Sequence, residues 1–332
     1  MRYVTIDKIK PGNILAKTVF NNDCNILLSS NNILTDRNIN TLKSLGFTGL
    51  YIFDHTDDKT VDLLSDEIRQ QALRDLQHIN IDDCLYIANV ITNNILSNPD
   101  ALHDLLTICS YDTSTYFHSI NVAILSVMIG IDIQLKNSQL HELAQAALLH
   151  DIGKTCIDTA ILNKTSKLTD TEFTIMKNHV VYGYNMLRYN TSISESTRRG
   201  ILHHHENEDG SGYPSNLKSS EIPLYAKIIH IADVYDAMLS ERSYKATINP
   251  ADVFEYMLGN SAIFDFDILT HLRYCIALYP VGSKVLLSYG STATVIRNNK
   301  HHPQRPLLRR TSDNNIVNLM AVLNLTIVKL LT

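Results

Sequence analysis

Residues 140–154 read LHELAQAALLHDIGK and predict a helix that ends at a histidine and an aspartate. Leu143, Ala147 and His150 follow one another at steps of four and three residues, so they share one face of that helix. The imidazole and the adjacent Asp151 carboxylate therefore emerge where the chain is buried. A buried carboxylate is costly unless it is paired or bound to a metal. The plainer interpretation is a capped helix end, because a His-Asp pair is common by chance.

A second stretch, residues 203–214, reads HHHENEDGSGYP. On a helix, three consecutive histidines sweep about 200°, so at most two of them can face one point. Gly212 would let the backbone approach a ligand closely, and Tyr213 with Pro214 would form a rigid aromatic ledge. The alternative is a surface loop that carries a run of histidines.

Three further residues are ambiguous when each is taken alone. Asp233 lies among small apolar residues at helical spacing, His118 lies on an apolar face, and His179 ends a helix-like stretch. Asp233 and His118 are each more typical of a satisfied core residue than of a ligand, and His179 could merely end its helix. Together with the two stretches above, they supply imidazoles and carboxylates without thiolates. That donor set suits iron, manganese or a similar metal better than structural zinc.

The pattern of residues along the chain changes on both sides of the segment that carries these motifs. Strand and turn residues dominate the start, helical periodicity dominates the middle, and alternating apolar residues return at the end. The predicted fold class is mainly α, an all-helical bundle with a small N-terminal α/β module and a small C-terminal β appendage. The predicted units are 1–60 (strand and helix module), 61–100 (connecting helix, one or two), 101–280 (catalytic domain) and 281–332 (β-rich module). The apolar stripe of the connecting helix could form a homodimer contact or pack on its own domain.

Composition excludes several classes of protein. Lys and Arg total 29 against 34 for Asp and Glu in 332 residues, a net charge of −5, which argues against a partner that is a nucleic-acid polymer. The five cysteines are an odd number without a CxxC pair, so neither a disulfide framework nor a zinc ribbon is expected. No secretory leader or uncharged apolar run of roughly 18 residues is found, so we expect a cytoplasmic protein with no membrane partner.

Taken together, HDIGK at 150–154, HHE at 204–206 and DGSGYP at 209–214 resemble the HD-GYP family of cyclic di-GMP phosphodiesterases, in the HD phosphohydrolase superfamily. The likeness includes residues 162–164 and 232–237 and covers about 101–280. It implies an HD-type helix bundle and a metal-dependent hydrolase of cyclic di-GMP.

The resemblance also implies a role for each motif residue. It implies two divalent metal ions, iron or manganese, bound by seven ligands: His118, His150, Asp151, His179, His204, His205 and Asp233. Asp151 would bridge the metals, and Lys154 would hold a phosphate oxygen as the second catalytic residue. The substrate contacts would be Lys154, Gly212, Tyr213, Pro214, Asp236, Arg242 and Lys245. For Asp236, orienting a ligand, proton transfer and an ordinary helix salt bridge remain open.

The implied reaction is attack of a metal-bridging hydroxide on phosphorus, which gives linear pGpG and could continue to GMP. Ser114 stands where some members carry a glutamate for a third metal, so two metals are expected and the linear product should accumulate. One alternative is a signalling adaptor that binds cyclic dinucleotide and partner proteins without significant turnover. Another is a phosphodiesterase for a different cyclic dinucleotide, because no base-reading residue is recognised.

Overall fold

A computed structural model describes most of the chain, and its architecture confirms the predicted fold class. The described residues are 2–21, 25–45, 47, 49–53, 65–97, 115–240, 250–279, 281–299 and 302–331. They form a helical core, with a small strand and helix unit on the N-terminal side and a sheet on the C-terminal side. The predicted boundaries near residues 60, 100 and 280 lie outside the described residues and stay predictions.

The N-terminal unit is built from short strands around one helix. β1 (Arg2–Thr5) pairs antiparallel with β4 (Gly49–Ile52), and β2 (Val19–Phe20) pairs antiparallel with β3 (Ile26–Leu28). The helix α1 (Asp36–Ser44) buries its apolar face against these strands. This unit also touches the helical core, because the Phe20 ring lies 5.3 Å from that of Phe117.

The connecting segment forms two helices, α2 (Asp66–His78) and α3 (Ile81–Ser97). Ile79 adopts a left-handed conformation, with φ 56° and ψ 38°, and ends the first helix. The apolar stripe of α3, with Ile87 and Ile91, is buried in the main core. The stripe that suggested a homodimer thus packs on its own domain, and dimerisation stays a prediction.

The main core consists of helices that enclose a few buried polar side chains. Its helices are α4 (Thr115–Asp132), α5 (Asn137–Leu149), α6 (Thr159–Leu162), α7 (Asp170–Lys177), α8 (His179–Leu187), α9 (Glu195–His203), α10 (Leu224–Ser240), α11 (Pro250–Gly259) and α12 (Phe266–Cys275). Helix α4 packs on α5 and α10, and α9 packs on α5, α8 and α10. None of the helices within the described ranges combines the length and the hydropathy that a membrane span requires.

The C-terminal unit is a five-stranded antiparallel sheet in the order β8-β7-β6-β5-β9. Its strands are β5 (Lys284–Leu287), β6 (Thr292–Arg297), β7 (Leu307–Arg310), β8 (Ile316–Asn318) and β9 (Ile327–Leu331). The sequence predicts strand-like segments at 284–287, 292–296 and 325–330, which correspond to β5, β6 and β9. It misses β7, which carries two arginines, and β8, which has only three residues.

Candidate metal centre

Three of the predicted ligands stand just beyond the ends of helices. His150 follows α5, His179 follows α7, and His204 follows α9. Their Nδ1 atoms lie 2.7–2.8 Å from the carbonyl oxygens three residues earlier, those of Ala147, Met176 and Ile201. Because a carbonyl oxygen can only accept, each Nδ1 carries the proton and each Nε2 carries the lone pair. That is the tautomer that binds a metal through Nε2.

The Nε2 atoms of these histidines, which do not take part in the hydrogen bonds to the carbonyls, lie close to Asp151. Among the described residues, Nε2 of His150, His179 and His204 is buried without a hydrogen-bond partner, and so is Oδ1 of Asp151. Each unpaired buried polar atom costs roughly 1–3 kcal/mol. His150 Nε2 lies 3.4 Å from Asp151 Oδ2, and His179 Nε2 lies 3.4 Å from Asp151 Oδ1. Unpaired lone pairs that face one space are what a bound cation needs, so these residues fit a metal.

The Asp151 carboxylate stays ionised although it is buried. Burial alone would raise its pKa, but the Lys154 ammonium, 2.5 Å away, and the two neighbouring histidines hold the pKa well below its usual range. Burial would likewise lower the pKa of Lys154, and Asp151 raises it. The centre therefore contains a fixed anion with a fixed cation beside it.

On the opposite side, His118 of α4 lies between two carboxylates of α10. Its Nε2 is 2.9 Å from Asp233 Oδ1, and its Nδ1 is 2.7 Å from Asp236 Oδ2. Burial would lower the pKa of His118, but its hydrogen bonds to both carboxylates raise it to about 10. Asp236 is fully buried, and its contact with His118 is the one expected of a residue that orients a ligand.

The donor atoms form three overlapping groups, and within each group they lie within 4.8 Å of one another. The groups are His179, His204 and His205; His118, His150 and Asp151; and His150, His204 and Asp233. All seven residues predicted as ligands thus lie in at least one group. His203 lies in none of them and faces Glu206 instead, with Nδ1 3.6 Å from Oε1.

One glycine in each of the two motifs, Gly153 and Gly212, lies where two backbone segments come into contact. A β-carbon on Gly153 would lie 1.9 Å from the His179 carbonyl oxygen, so the turn Ile152–Cys156 can cross α8 only with glycine there. A β-carbon on Gly212 would lie 2.4 Å from the His205 carbonyl oxygen. Glycine at these positions lets the ligand-bearing segments touch directly.

Tyr213 and Pro214 belong to a loop that packs on the ligands. The Tyr213 ring stacks on His205, with centroids 4.8 Å apart and an angle of 29°. Burial lowers the pKa of His205 to about 3, although Asp233 acts in the opposite direction. The predicted aromatic ledge is therefore one wall of the centre.

Glu206 organises this loop, a role that the sequence reasoning did not identify. Its buried carboxylate accepts hydrogen bonds from the backbone amides of Ser215, at 2.7 Å, and Leu217, at 3.0 Å. The available signal was an acid that directly follows three histidines and precedes a polar loop whose amides need acceptors. The predicted contacts Arg242 and Lys245, and Ser114, lie outside the described residues.

Comparison with known proteins assigns the chain that carries this centre to a family. The family model for the HD domain matches residues 96–268, more than half of the chain. The chain belongs to the HD-domain family. The HD domain binds divalent metals, and the resemblance inferred from the motifs is confirmed.

Relatives with curated names match parts of this HD-domain chain. It is 35% identical over 210 residues to cyclic di-GMP phosphodiesterase PA4108 of Pseudomonas aeruginosa, which is 63% of this chain and 51% of that protein. It is 37% identical over 131 residues to 3'3'-cGAMP-specific phosphodiesterase 3 of Vibrio cholerae, which is 40% of this chain and 28% of that protein. The chain thus spans about half or less of the length of these relatives.

One solved structure shares the overall fold. Bd1817, described as an HDG"Y"P protein from Bdellovibrio bacteriovorus, aligns with a TM-score of 0.56 over 82% of this chain and 97% of that chain. The identity is 17%, so this likeness concerns the fold alone.

Proposed function

We propose that this HD-domain chain is a metal-dependent phosphodiesterase that hydrolyses cyclic di-GMP to linear pGpG. The observation that carries the proposal is the convergence of seven histidines and aspartates on one centre, in which four of them, His150, Asp151, His179 and His204, have a buried donor atom without a partner. The name of the Pseudomonas relative supports the choice of substrate. Because that substrate is an intracellular messenger, the proposal includes a cytoplasmic location.

The proposed cofactor is a pair of divalent cations, iron or manganese. His179, His204 and His205 would hold one cation, and His118, His150 and Asp233 would hold the other. Asp151 would bridge them, and the fact that its two oxygens face two different histidines supports that role. Two such cations lower the pKa of a shared water and neutralise charge on a phosphate. Nitrogen and oxygen donors without a thiolate suit these two metals.

Lys154 would act on the phosphate that is cleaved. Its pKa is raised by Asp151, so the ammonium remains charged at neutral pH and can donate hydrogen bonds. A charged donor beside a non-bridging oxygen stabilises the extra negative charge of the transition state. Asp236 would keep His118 oriented, and the Tyr213 wall would exclude water from the cleft.

The proposed number of two metals rests on Ser114, which supplies no carboxylate for a third cation. Two metals suffice for opening the ring. We therefore propose that the second step, from pGpG to GMP, is slow and that pGpG accumulates. Three equivalents of metal per chain would contradict this part and leave the phosphodiesterase proposal intact.

The decisive experiment combines metal analysis with a hydrolysis assay. Protein purified without oxygen is assayed for iron and manganese and is then incubated separately with cyclic di-GMP and 3'3'-cGAMP. We expect about two metals per chain and faster turnover of cyclic di-GMP. Binding of nucleotide without turnover by the metal-loaded protein would instead favour an adaptor. Faster turnover of 3'3'-cGAMP, which the name of the Vibrio relative makes a real competitor, would change the substrate and keep the class of reaction.

A further inference from the structure

The last turns of α7 form an aromatic and cationic wall beside the metal centre, and none of the roles above uses it. Phe173 is 51% exposed although its ring is large and apolar. One turn later, Lys177 places Nζ 5.2 Å from the centre of the Phe173 ring and 5.9 Å from the centre of the Tyr213 ring. The ammonium therefore lies between an exposed ring and the ledge that stacks on His205.

The wall is held in place at both ends of α7. At its start, the Glu172 carboxylate accepts a hydrogen bond from the backbone amide of Thr169 and forms a salt bridge with Lys164 at 2.6 Å. At its end, the Met176 carbonyl, one residue before Lys177, accepts the hydrogen bond from Nδ1 of the ligand His179. The backbone of Lys177 thus has a fixed position relative to the metal ligands, so only its side chain has to be ordered when it binds a ligand.

Lys177 differs from the other lysines around the centre. Lys154 is paired with Asp151, and Lys164 is paired with Glu172. Within the part of the chain that the structure describes, no carboxylate lies within 4.0 Å of Lys177 Nζ. An ammonium that contacts aromatic faces and no carboxylate remains available to an anion.

We propose that Lys177 binds the second, uncleaved phosphodiester of a cyclic dinucleotide and that the Phe173 ring holds its ammonium in position. This inference rests on the proposed function. A cyclic dinucleotide carries two phosphodiesters, each with one negative charge. The first lies at the metals and Lys154. The second needs a cation beside the centre that no carboxylate already occupies, and within the described residues Lys177 has that property.

The test compares a substrate that has two phosphodiesters with one that has a single phosphodiester. Metal-loaded full chain is assayed with cyclic di-GMP and with bis(p-nitrophenyl) phosphate. In Lys177→Gln, the ratio of kcat/KM for the first substrate over the second falls about tenfold, the low end for a charge-assisted hydrogen bond, and the change appears in KM. In Phe173→Leu the ratio falls in the same direction and by less. The matched control is Lys136→Gln, an exposed lysine about 20 Å from His150 along α5, which leaves the ratio unchanged.

Titration of the same variants with cyclic di-GMP separates this inference from the proposed function. A ratio that stays constant in Lys177→Gln, with unchanged binding of cyclic di-GMP, overturns the inference. Equal losses on both substrates also overturn it, because Lys177 would then act on the metals or on folding. If the wild type binds the nucleotide without turnover, the proposed function fails, and weaker binding by Lys177→Gln still supports the inference. If the wild type neither binds nor hydrolyses any cyclic dinucleotide, both fall.

Discussion

The two sides of the metal centre hold their protons differently. On the histidine side, defined by His179, His204 and His205, burial lowers the pKa of each imidazole, so the rings are neutral at pH 7. On the carboxylate side, defined by His118, Asp233 and Asp236, the imidazole lies between two anions and keeps its proton. One side can therefore receive a cation as it stands, whereas the other must first release a proton. Asp151 lies between the two sides: its Oδ1 is 3.4 Å from His179 of the histidine side, and its Oδ2 is 3.4 Å from Nε2 of His150, which in turn lies 3.9 Å from Asp233 of the carboxylate side.

Removal of Asp151 should have the largest effect, because it breaks both sides at once. In Asp151→Ala we expect hydrolysis to fall to background and the metal content to fall by at least one equivalent per chain. Metal analysis and turnover of cyclic di-GMP are measured on the same sample. Asp82→Ala, which removes an exposed carboxylate from the first turn of α3, serves as the control. Full metal content with normal turnover would contradict the role of Asp151.

Removal of Lys154 should affect turnover while both sides remain loaded. Lys154→Ala deletes one charged donor to the phosphate, and loss of one such donor typically costs about 100-fold in kcat. We expect the metal content to stay at the wild-type level, because the lysine supplies no lone pair to a cation. Loss of metal in this variant would show that the ammonium stabilises the centre and does not act on the substrate.

Neutralising the Asp236 carboxylate should affect the carboxylate side alone and so distinguish it from the histidine side. Asp236→Asn keeps the shape of the side chain but removes the anion that orients His118. Loss of a partner of this kind typically lowers metal affinity by about 10- to 100-fold. Competition with a chelator should therefore release one metal earlier than in the wild type and leave the other unchanged. Earlier release of both metals, or of neither, would refute the assignment of Asp236 to one side.

The smallest effect for a single step of the variable, about tenfold for each pH unit, is on the pH dependence of metal binding. With a pKa of about 10 in the metal-free protein, His118 is protonated at pH 7 to 9 and must lose that proton to a cation. The pKa values of the imidazoles on the histidine side are lowered, so these rings release no proton between pH 7 and 9. Metal affinity on the carboxylate side should rise about tenfold per pH unit between pH 7 and 9. Calorimetry in buffers of different ionisation enthalpy should count one released proton in addition to the proton of the water that becomes the bridging hydroxide, and a count without this additional proton would contradict this contrast.

The metal ligands could be predicted from the sequence, because the motifs that contain them are local. His150 and Asp151 end a helix whose apolar periodicity is clear, and the run 203–205 carries its own geometric limit. That limit assumed a continuous helix, however. In the structure α9 ends at His203, and the turn that follows brings His204 and His205 to one centre with ring centroids 4.1 Å apart.

The features that the sequence did not predict depend on contacts that its local patterns do not specify. Glu206 accepts from amides nine and eleven residues further along the chain, and the pairing of His118 with Asp236 joins positions 118 residues apart. The break between α2 and α3 falls on Ile79, a β-branched residue that rarely adopts a left-handed conformation. Neither periodicity nor composition carries information of this kind.

The hydrogen bonds from three ligand histidines to carbonyls of helix ends also bear on protein engineering. In each case the ligand and the acceptor that sets its tautomer lie three residues apart on one short piece of chain. A metal-binding imidazole of this kind is a portable unit, made of a helix terminus and one histidine, and it needs no carboxylate from elsewhere. A designer could transplant such termini into another helical scaffold and retain the orientation of the ring. His118 could not be moved in that way, because its orientation depends on a separate helix.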